Sequence, residues 1–275
     1  MEGPHYEVVP PPRRKRGLSS EDARIVRQRG HNDAKEFALA IGLTDDYKND
    51  PKAKKDVIDP SGEAHSVKSG EKKWQIFLYS EGRFESDVAF SVMNGMGQIL
   101  LECIRAFPRT FAEYQADKVT AKERLRTHMV ALKDRLQDKT RLKAFLNKSI
   151  FNGGEVLYLT VKDAGMFHVF YGPEVINVLA DNLEVCNSRT IFIGSMPEQK
   201  VLFKYAGVNL GEIEMRNDSK VHYREIRFNM IKKIVMGLLY AKIKVTDKYS
   251  SRVLVHGEAS KHFGRWKKAR AVVSS

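Results

Sequence analysis

Hydrophobic positions along the chain change period several times. After Ser19-Ser20-Glu21-Asp22, a polar helix start, Ala23, Ile25 and Val26 and then Ala34, Phe37, Ala38 and Ile41 recur at helical spacing. This predicts two short amphipathic helices with a break near Gly30-His31-Asn32 and a stop at Gly42. From Lys54 to Tyr79 the period falls toward two. Val57 and Ile58, Ser66 to Lys68, and Trp74 to Tyr79 predict three strands of a meander, turning at Pro60 to Gly62 and at Ser69 to Glu71. Helical spacing returns over 84–93, 98–107, 111–117, 121–137 and 141–151. Beyond Glu155 the chain becomes β-rich, with runs at 156–161, 167–171, 190–193, 201–205 and 210–215 around a helix at 173–183. A helix from Met230 to Tyr240 and strands at 241–245 and 252–255 follow, and no internal repeat is visible.

This order predicts an α/β (α+β) fold, a mixed central β-sheet flanked by helices with a β-rich C-terminal half. The expected organisation is a flexible basic arm at 1–18, a core with a helical insertion at 19–151, and a β-rich part at 152–275 packed on the same core.

Charge narrows the partners. Lys and Arg outnumber Asp and Glu by 47 to 34, a formal charge of +13, so polyanions are drawn to the surface and nucleic acid is the leading partner. A basic protein with no such partner is the plain alternative, and a membrane surface has no amphipathic anchor to support it. The 42% hydrophobic content suits a well-buried core. Cys103 and Cys186 stand far apart in apolar contexts, which suggests neither a disulfide framework nor a thiolate zinc site. No signal-peptide core and no membrane-length apolar run is present, so a cytoplasmic location is expected. A Gly-rich loop ending in Gly-Lys-Ser/Thr, an HExxH helix and a Gly-x-Ser-x-Gly elbow are all missing, which argues against hydrolysis coupled to ATP.

Candidate chemistry concentrates at Lys55-Asp56-Val57-Ile58-Asp59-Pro60-Ser61-Gly62-Glu63-Ala64-His65-Ser66-Val67-Lys68, a hairpin with acids on its first arm and a lysine on its second. Hydrolysing a phosphodiester requires neutralising charge on the phosphorane and activating a water, which a carboxylate-held metal ion and a nearby amine can do together. Alternation puts Ser66 and Lys68 on one face and His65 and Val67 on the other. A three-residue loop sets Asp56 opposite Lys68; a four-residue loop leaves Asp59 on the Lys68 face, about four residues along. Asp56 is the favoured metal ligand and Asp59 the fallback, a position that equally suits a turn-forming residue. The plain alternative is a polar hairpin with surface ion pairs of little energetic weight.

An acid before a short hairpin, followed by a strand ending in x-x-Lys, resembles the PD-(D/E)XK nuclease fold of type II restriction endonucleases, archaeal junction resolvases and RecB-type nucleases. The resemblance covers about residues 29–79, with Lys55 in place of the usual proline and Ser66 where the second acid stands. It implies a restriction-endonuclease-like core, Mg²⁺ (with Mn²⁺ able to substitute) held by Asp56, and a second ligand supplied from elsewhere. Glu36, on the helix that starts at Arg29 to Glu36, occupies the position expected to face the metal; an exposed glutamate on an amphipathic helix is its plain reading. Lys68 assists the water. Gln75 could sit beside Lys68, and Gln75-Ile76-Phe77-Leu78-Tyr79 echoes the Gln-x-x-x-Tyr of RecB-type nucleases. The resemblance also implies cleavage of double-stranded DNA at a specific sequence, a homodimer, and a cognate DNA methyltransferase as a companion.

A second polar segment, Gly211 to Arg227, carries Arg216, Asn217, Arg224 and Arg227, residue types suited to base edges in the major groove. Strand geometry there would set Lys220, His222, Arg224 and Ile226 on one face. Salt bridges among Glu212, Glu214, Arg216, Arg224 and Arg227 are the structural alternative, and Glu212 with Glu214 could instead complete a metal site. Arg13 and Arg14, in the Pro-rich arm, are candidates for tracking phosphates. Beside the endonuclease reading stand a non-catalytic DNA-binding protein and a structure-selective junction or repair nuclease.

Overall fold

A computed structural model describes residues 20–51, 54–91, 93, 95–216 and 220–266. The basic arm with Arg13 and Arg14, and Asn217, lie outside the described residues.

The first described element is a single helix, α1 (Ser20–Ala40), where a break had been expected near Gly30. An isolated exposed glycine costs a helix only about 1 kcal/mol, and the buried stripe Ala34, Phe37, Ala38 and Ile41 anchors the C-terminal half. Gly42 stops it as expected: its φ of 89° is left-handed, and Leu43 N–H bonds back to the Ala38 carbonyl at 2.9 Å.

Three strands follow, β1 (Val57–Ile58), β2 (Ala64–Lys68) and β3 (Lys73–Tyr79). Next come α2 (Glu81–Ser86), α3 (Val88–Ser91), α4 (Met96–Arg105), α5 (Phe111–Ala116), α6 (Lys118–Gln137) and α7 (Lys139–Phe151). Side chains of Thr110, Asp117 and Asp138 cap the N-termini of α5, α6 and α7, which is why these helices begin where they do. The second half holds β4 (Tyr158–Asp163), β5 (Met166–Tyr171), α8 (Gly172–Asn182), β6 (Glu184–Asn187), β7 (Ile191–Ile193), β8 (Met196–Pro197), β9 (Lys200–Tyr205) and β10 (Val208–Met215). It closes with β11 (Ile226–Ile231), α9 (Lys232–Lys242), β12 (Val245–Ser250) and β13 (Val253–His256). The run expected as a strand at 241–245 is the end of α9 and the entry to β12.

The described residues form a mixed α/β fold whose central six-stranded sheet runs β1-β2-β4-β5-β13-β12, with β2 parallel to β4 and β5 parallel to β13. Strands from both sides of residue 151 therefore share one sheet. One face of it, with His65, Tyr158, Thr160, Phe167, Val169, Val253 and Val255, packs on α1 and Phe263. The opposite face sends Leu159, Val161 and Phe170 into the main core with the helical region.

The predicted three-strand meander is corrected at β3. It leaves β2 and joins a second sheet, β3-β11-β10-β9-β6, pairing antiparallel with β11. Phe77 meets Phe145 of α7 and Phe228 of β11, so β3 belongs to the main core and not to the cluster under α1. No helix among the described residues is long and apolar enough to cross a membrane.

Candidate functional site

The hairpin register sets the site. Val57 pairs with His65 and Ile58 with Ala64, so the loop spans the five residues Asp59 to Glu63, longer than either register considered from sequence. Asp59 causes the extra length. Its Oδ1 accepts from Ser61 N–H at 2.8 Å, Ser61 Oγ at 2.6 Å and Glu63 N–H at 3.1 Å, a side-chain-built turn.

Asp56 lies one residue before this ladder, beside Ser66. Its N–H donates to the His65 carbonyl at 2.9 Å, and its Oδ2 accepts from Val67 N–H at 2.8 Å and from Ser66 Oγ at 3.4 Å. Lys68 reaches back along its own strand, donating to Ser66 Oγ at 2.8 Å with its ammonium 4.0 Å from Asp56 Oδ2. Both charged side chains keep some solvent access, 30% for Asp56 and 21% for Lys68, whereas Ser66 is fully buried. A carboxylate, a hydroxyl and an amine thus converge at the sheet edge.

The other predicted ligands sit elsewhere. Asp59 is on the far side of the hairpin from Lys68, buried against His65, whose Nε2 lies 3.3 Å from its Oδ2. Burial pushes the Asp59 carboxyl upward, but hydrogen bonds from His65 and Ser61 outweigh it and hold the group below the ordinary carboxylate range. Glu36 packs with α1 against the face opposite Lys68, where it pairs with Lys162 at 2.6 Å and with Arg252. Lys162 alternates with Val161, the register partner of Lys68, which is why Glu36 and Lys68 end on opposite faces. Gln75, exposed on β3 and paired with Asn229, lies in the second sheet. Among the described residues no group of three or more His, Cys, Asp and Glu side chains could hold a metal ion.

No family model matches this chain, and neither does any curated protein.

Cations surround the hairpin site instead. Lys54, left-handed at φ 61°, turns inward so that its ammonium donates to the carbonyls of Ile76, at 3.0 Å, and Ser149. Burial brings this amine down to about 7, the charges of Lys68, Lys148 and Arg83 act in the same direction, and Asp56 opposes them. Lys148 pairs with Asp87 at 3.0 Å, and Arg83 reaches the same carboxylate at 3.4 Å. Arg83 also stands 5.2 Å from the centre of the Tyr79 ring. Sequence reasoning missed Lys54, Arg83 and Lys148 because no local spacing links residues that only tertiary packing of α2, α7 and the hairpin brings together.

The Gly211 to Arg227 segment divides in two. Glu214 pairs with Arg227 and, at 2.8 Å, with Lys200, while Glu212 pairs with Lys73 at 2.8 Å, so these residues form a ladder of ion pairs across the second sheet. Glu212 and Glu214 are tied into that ladder, not into the Asp56 cluster. Between the strands, residues 220–224 form turns and Arg224 has a φ of 66°, so the expected common face of Lys220, His222, Arg224 and Ile226 does not exist. Tyr223 seats the loop on Phe107, Phe111 and Tyr114, and Arg224 reaches Glu81 of α2 at 2.8 Å. His222 meets Glu225 at 2.8 Å, and Lys220 is exposed. Arg216 continues the hairpin through its N–H to the Glu225 carbonyl at 2.8 Å. Because Arg83 and Glu81 share α2, this short helix joins the loop to the surroundings of Lys54.

Proposed function

We propose that the protein hydrolyses phosphodiester bonds of double-stranded DNA with the help of a divalent metal ion, as the PD-(D/E)XK nucleases do, around a restriction-endonuclease-like core. The observation that carries the reading is the approach of the Lys68 ammonium to within 4.0 Å of the Asp56 carboxylate at an accessible sheet edge. A five-residue loop preserves it because both side chains still face Ser66.

The donor set fits Mg²⁺, or Mn²⁺ in its place, only as a one-carboxylate site, a mode that Mg²⁺ adopts when substrate phosphate and water complete its shell. When bound, the ion neutralises phosphate charge and makes water more acidic. Asp56 is the residue that would hold it. Lys68, oriented by Ser66 Oγ, counters charge on the scissile phosphate and positions the attacking water. The DNA-facing surface is the loop between β10 and β11, with Arg216 and His222 at base edges and Lys220 on backbone phosphate, while Arg224 and Arg227 hold the loop and its sheet in shape. A homodimer and a companion methyltransferase belong to the same proposal.

The test is a plasmid digest with Mg²⁺ and then with EDTA. Discrete fragments that vanish with the chelator, and vanish again in Lys68→Ala while DNA retention persists, support the reading; intact plasmid under Mg²⁺ and Mn²⁺ alike would sink it. A second reading, DNA binding without chemistry, is favoured by the lack of a three-ligand metal group among the described residues together with the net charge of +13. Salt-sensitive retention with no cleavage is its signature.

A further inference from the structure

The proposed hydrolysis makes no use of the cationic cluster behind Asp56 and Lys68. Three cationic side chains, Lys54, Arg83 and Lys148, lie together: Lys54 and Arg83 both stand by the Tyr79 ring, Arg83 and Lys148 share the Asp87 carboxylate, and Asp56 is the acid that acts on Lys54. Lys148 and Asp87 each keep only 10% of their side-chain exposure, whereas Arg83 keeps 40% and opens the cluster to solvent. Two donors in this region have no hydrogen-bond partner among the described residues: Arg83 Nε and the hydroxyl of Ser149, a residue 1% exposed whose carbonyl meets Lys54. A buried donor left unsatisfied is costly, so two of them beside one cation cluster point to a missing acceptor. Phosphate meets the demand: it carries negative charge, presents several acceptor oxygens and pairs well with guanidinium and ammonium groups.

We propose that Lys54, Arg83, Lys148 and Ser149 form a phosphate subsite that takes a DNA backbone phosphate next to the scissile one. The assignment rests on the nuclease reading for its substrate, but its geometry stands apart from the metal ligand. A phosphate seated there fixes the strand so that the next phosphodiester falls at Asp56 and Lys68, and it restores the charge balance around the buried Lys54 amine. The left-handed backbone at Lys54, uncommon for a lysine, is what turns this amine inward toward the cluster.

The experiment is calorimetric titration of the full-length protein without metal, using inorganic phosphate, thymidine 5′-monophosphate and thymidine at constant ionic strength set with sodium chloride. Saturable binding of both phosphates, and none of thymidine, is expected. Ser149→Ala should weaken that binding about tenfold while leaving thermal stability equal or higher, because the hydroxyl it removes satisfies nothing in the free protein. Lys148→Gln should weaken it further. Absence of saturable binding, or wild-type affinity in both variants, overturns the subsite; binding of inorganic phosphate without the nucleotide overturns its assignment to a DNA backbone. Asp56→Asn separates the two proposals. Retained phosphate binding in that variant, in a protein whose wild type never cuts DNA, would sink the nuclease and keep the subsite, whereas cutting without phosphate binding would do the reverse.

Discussion

The Lys68 ammonium is held by Ser66, not by Asp56. It donates to Ser66 Oγ at 2.8 Å and stays 4.0 Å from the Asp56 carboxylate, a gap left between two charges by a buried hydroxyl. On the proposed nuclease reading, Ser66 stands where the resembled enzymes carry a second acid and would orient the amine in place of supplying a ligand.

Ser66→Ala should therefore slow DNA cutting by about tenfold, the scale of one hydrogen bond to a charged group, and leave DNA retention unchanged. Cleavage rates measured against retention in the same buffer check this. A variant that cuts at the wild-type rate would show that the bond does not position the amine.

Glu36→Gln should leave the cutting rate unchanged, because α1 lies across the sheet from Lys68. Glu36 ties that helix to Lys162 of β4 and to Arg252 before β13. Losing a partly exposed pair of this kind costs about 1 kcal/mol, to be read as a lower urea midpoint. Lost cutting with an unchanged midpoint would put Glu36 back at the reacting centre.

These two residues mark where sequence reading succeeds and fails. The hairpin was legible because Pro60-Ser61-Gly62 interrupts two β-type runs, and the shared face of Ser66 and Lys68 follows from alternation alone. Loop length was not legible, because it depends on Asp59 gathering three donors around one oxygen. Nor was the face on which Glu36 lands, since helical periodicity says which stripe of α1 is buried but not which side of a sheet covers it. β3 was placed correctly as a strand and wrongly as a neighbour of β2, because sheet membership depends on partners such as Phe145 and Phe228, distant in sequence. Lys54, Arg83 and Lys148 carry no common motif at all.

The loop between β10 and β11 separates binding from architecture. Lys220 is exposed, so Lys220→Ala should weaken DNA binding across sequences and reduce the salt-dependence slope by about one. Arg224, paired with Glu81 and holding left-handed backbone, should instead act on stability. Arg224→Ala is expected to cost about 1 kcal/mol and to speed proteolysis within residues 216–226. If Arg224→Ala left both unchanged and altered only sequence preference, Arg224 would be a reading residue and not a support.

Acid should destabilise the protein through a pair of histidines beneath α9. His168 Nδ1 and His256 Nε2 are 2.9 Å apart, and His256 Nδ1 faces the Ile243 carbonyl at 3.3 Å. A carbonyl only accepts, so His256 carries its proton on Nδ1 and accepts from His168 through Nε2. A second proton on His256 would confront the His168 N–H and break that bond. Burial, first of all, lowers His256 to about 4 from an ordinary 6.5; Phe170 and Tyr240 stack on its ring, and Asp163 and Lys232 act on His168 from the other side. The unfolded chain takes up the proton first. The contribution of this neutral pair is thus fully present above about pH 6.5 and is lost as pH falls toward about 4. His65, also lowered by burial, contributes with the same sign. Urea unfolding at about pH 7 and about pH 4.5 should show wild type losing about 2 kcal/mol more than His256→Gln over that interval. Parallel losses in the two proteins would mean that His256 is not the group taking up the proton.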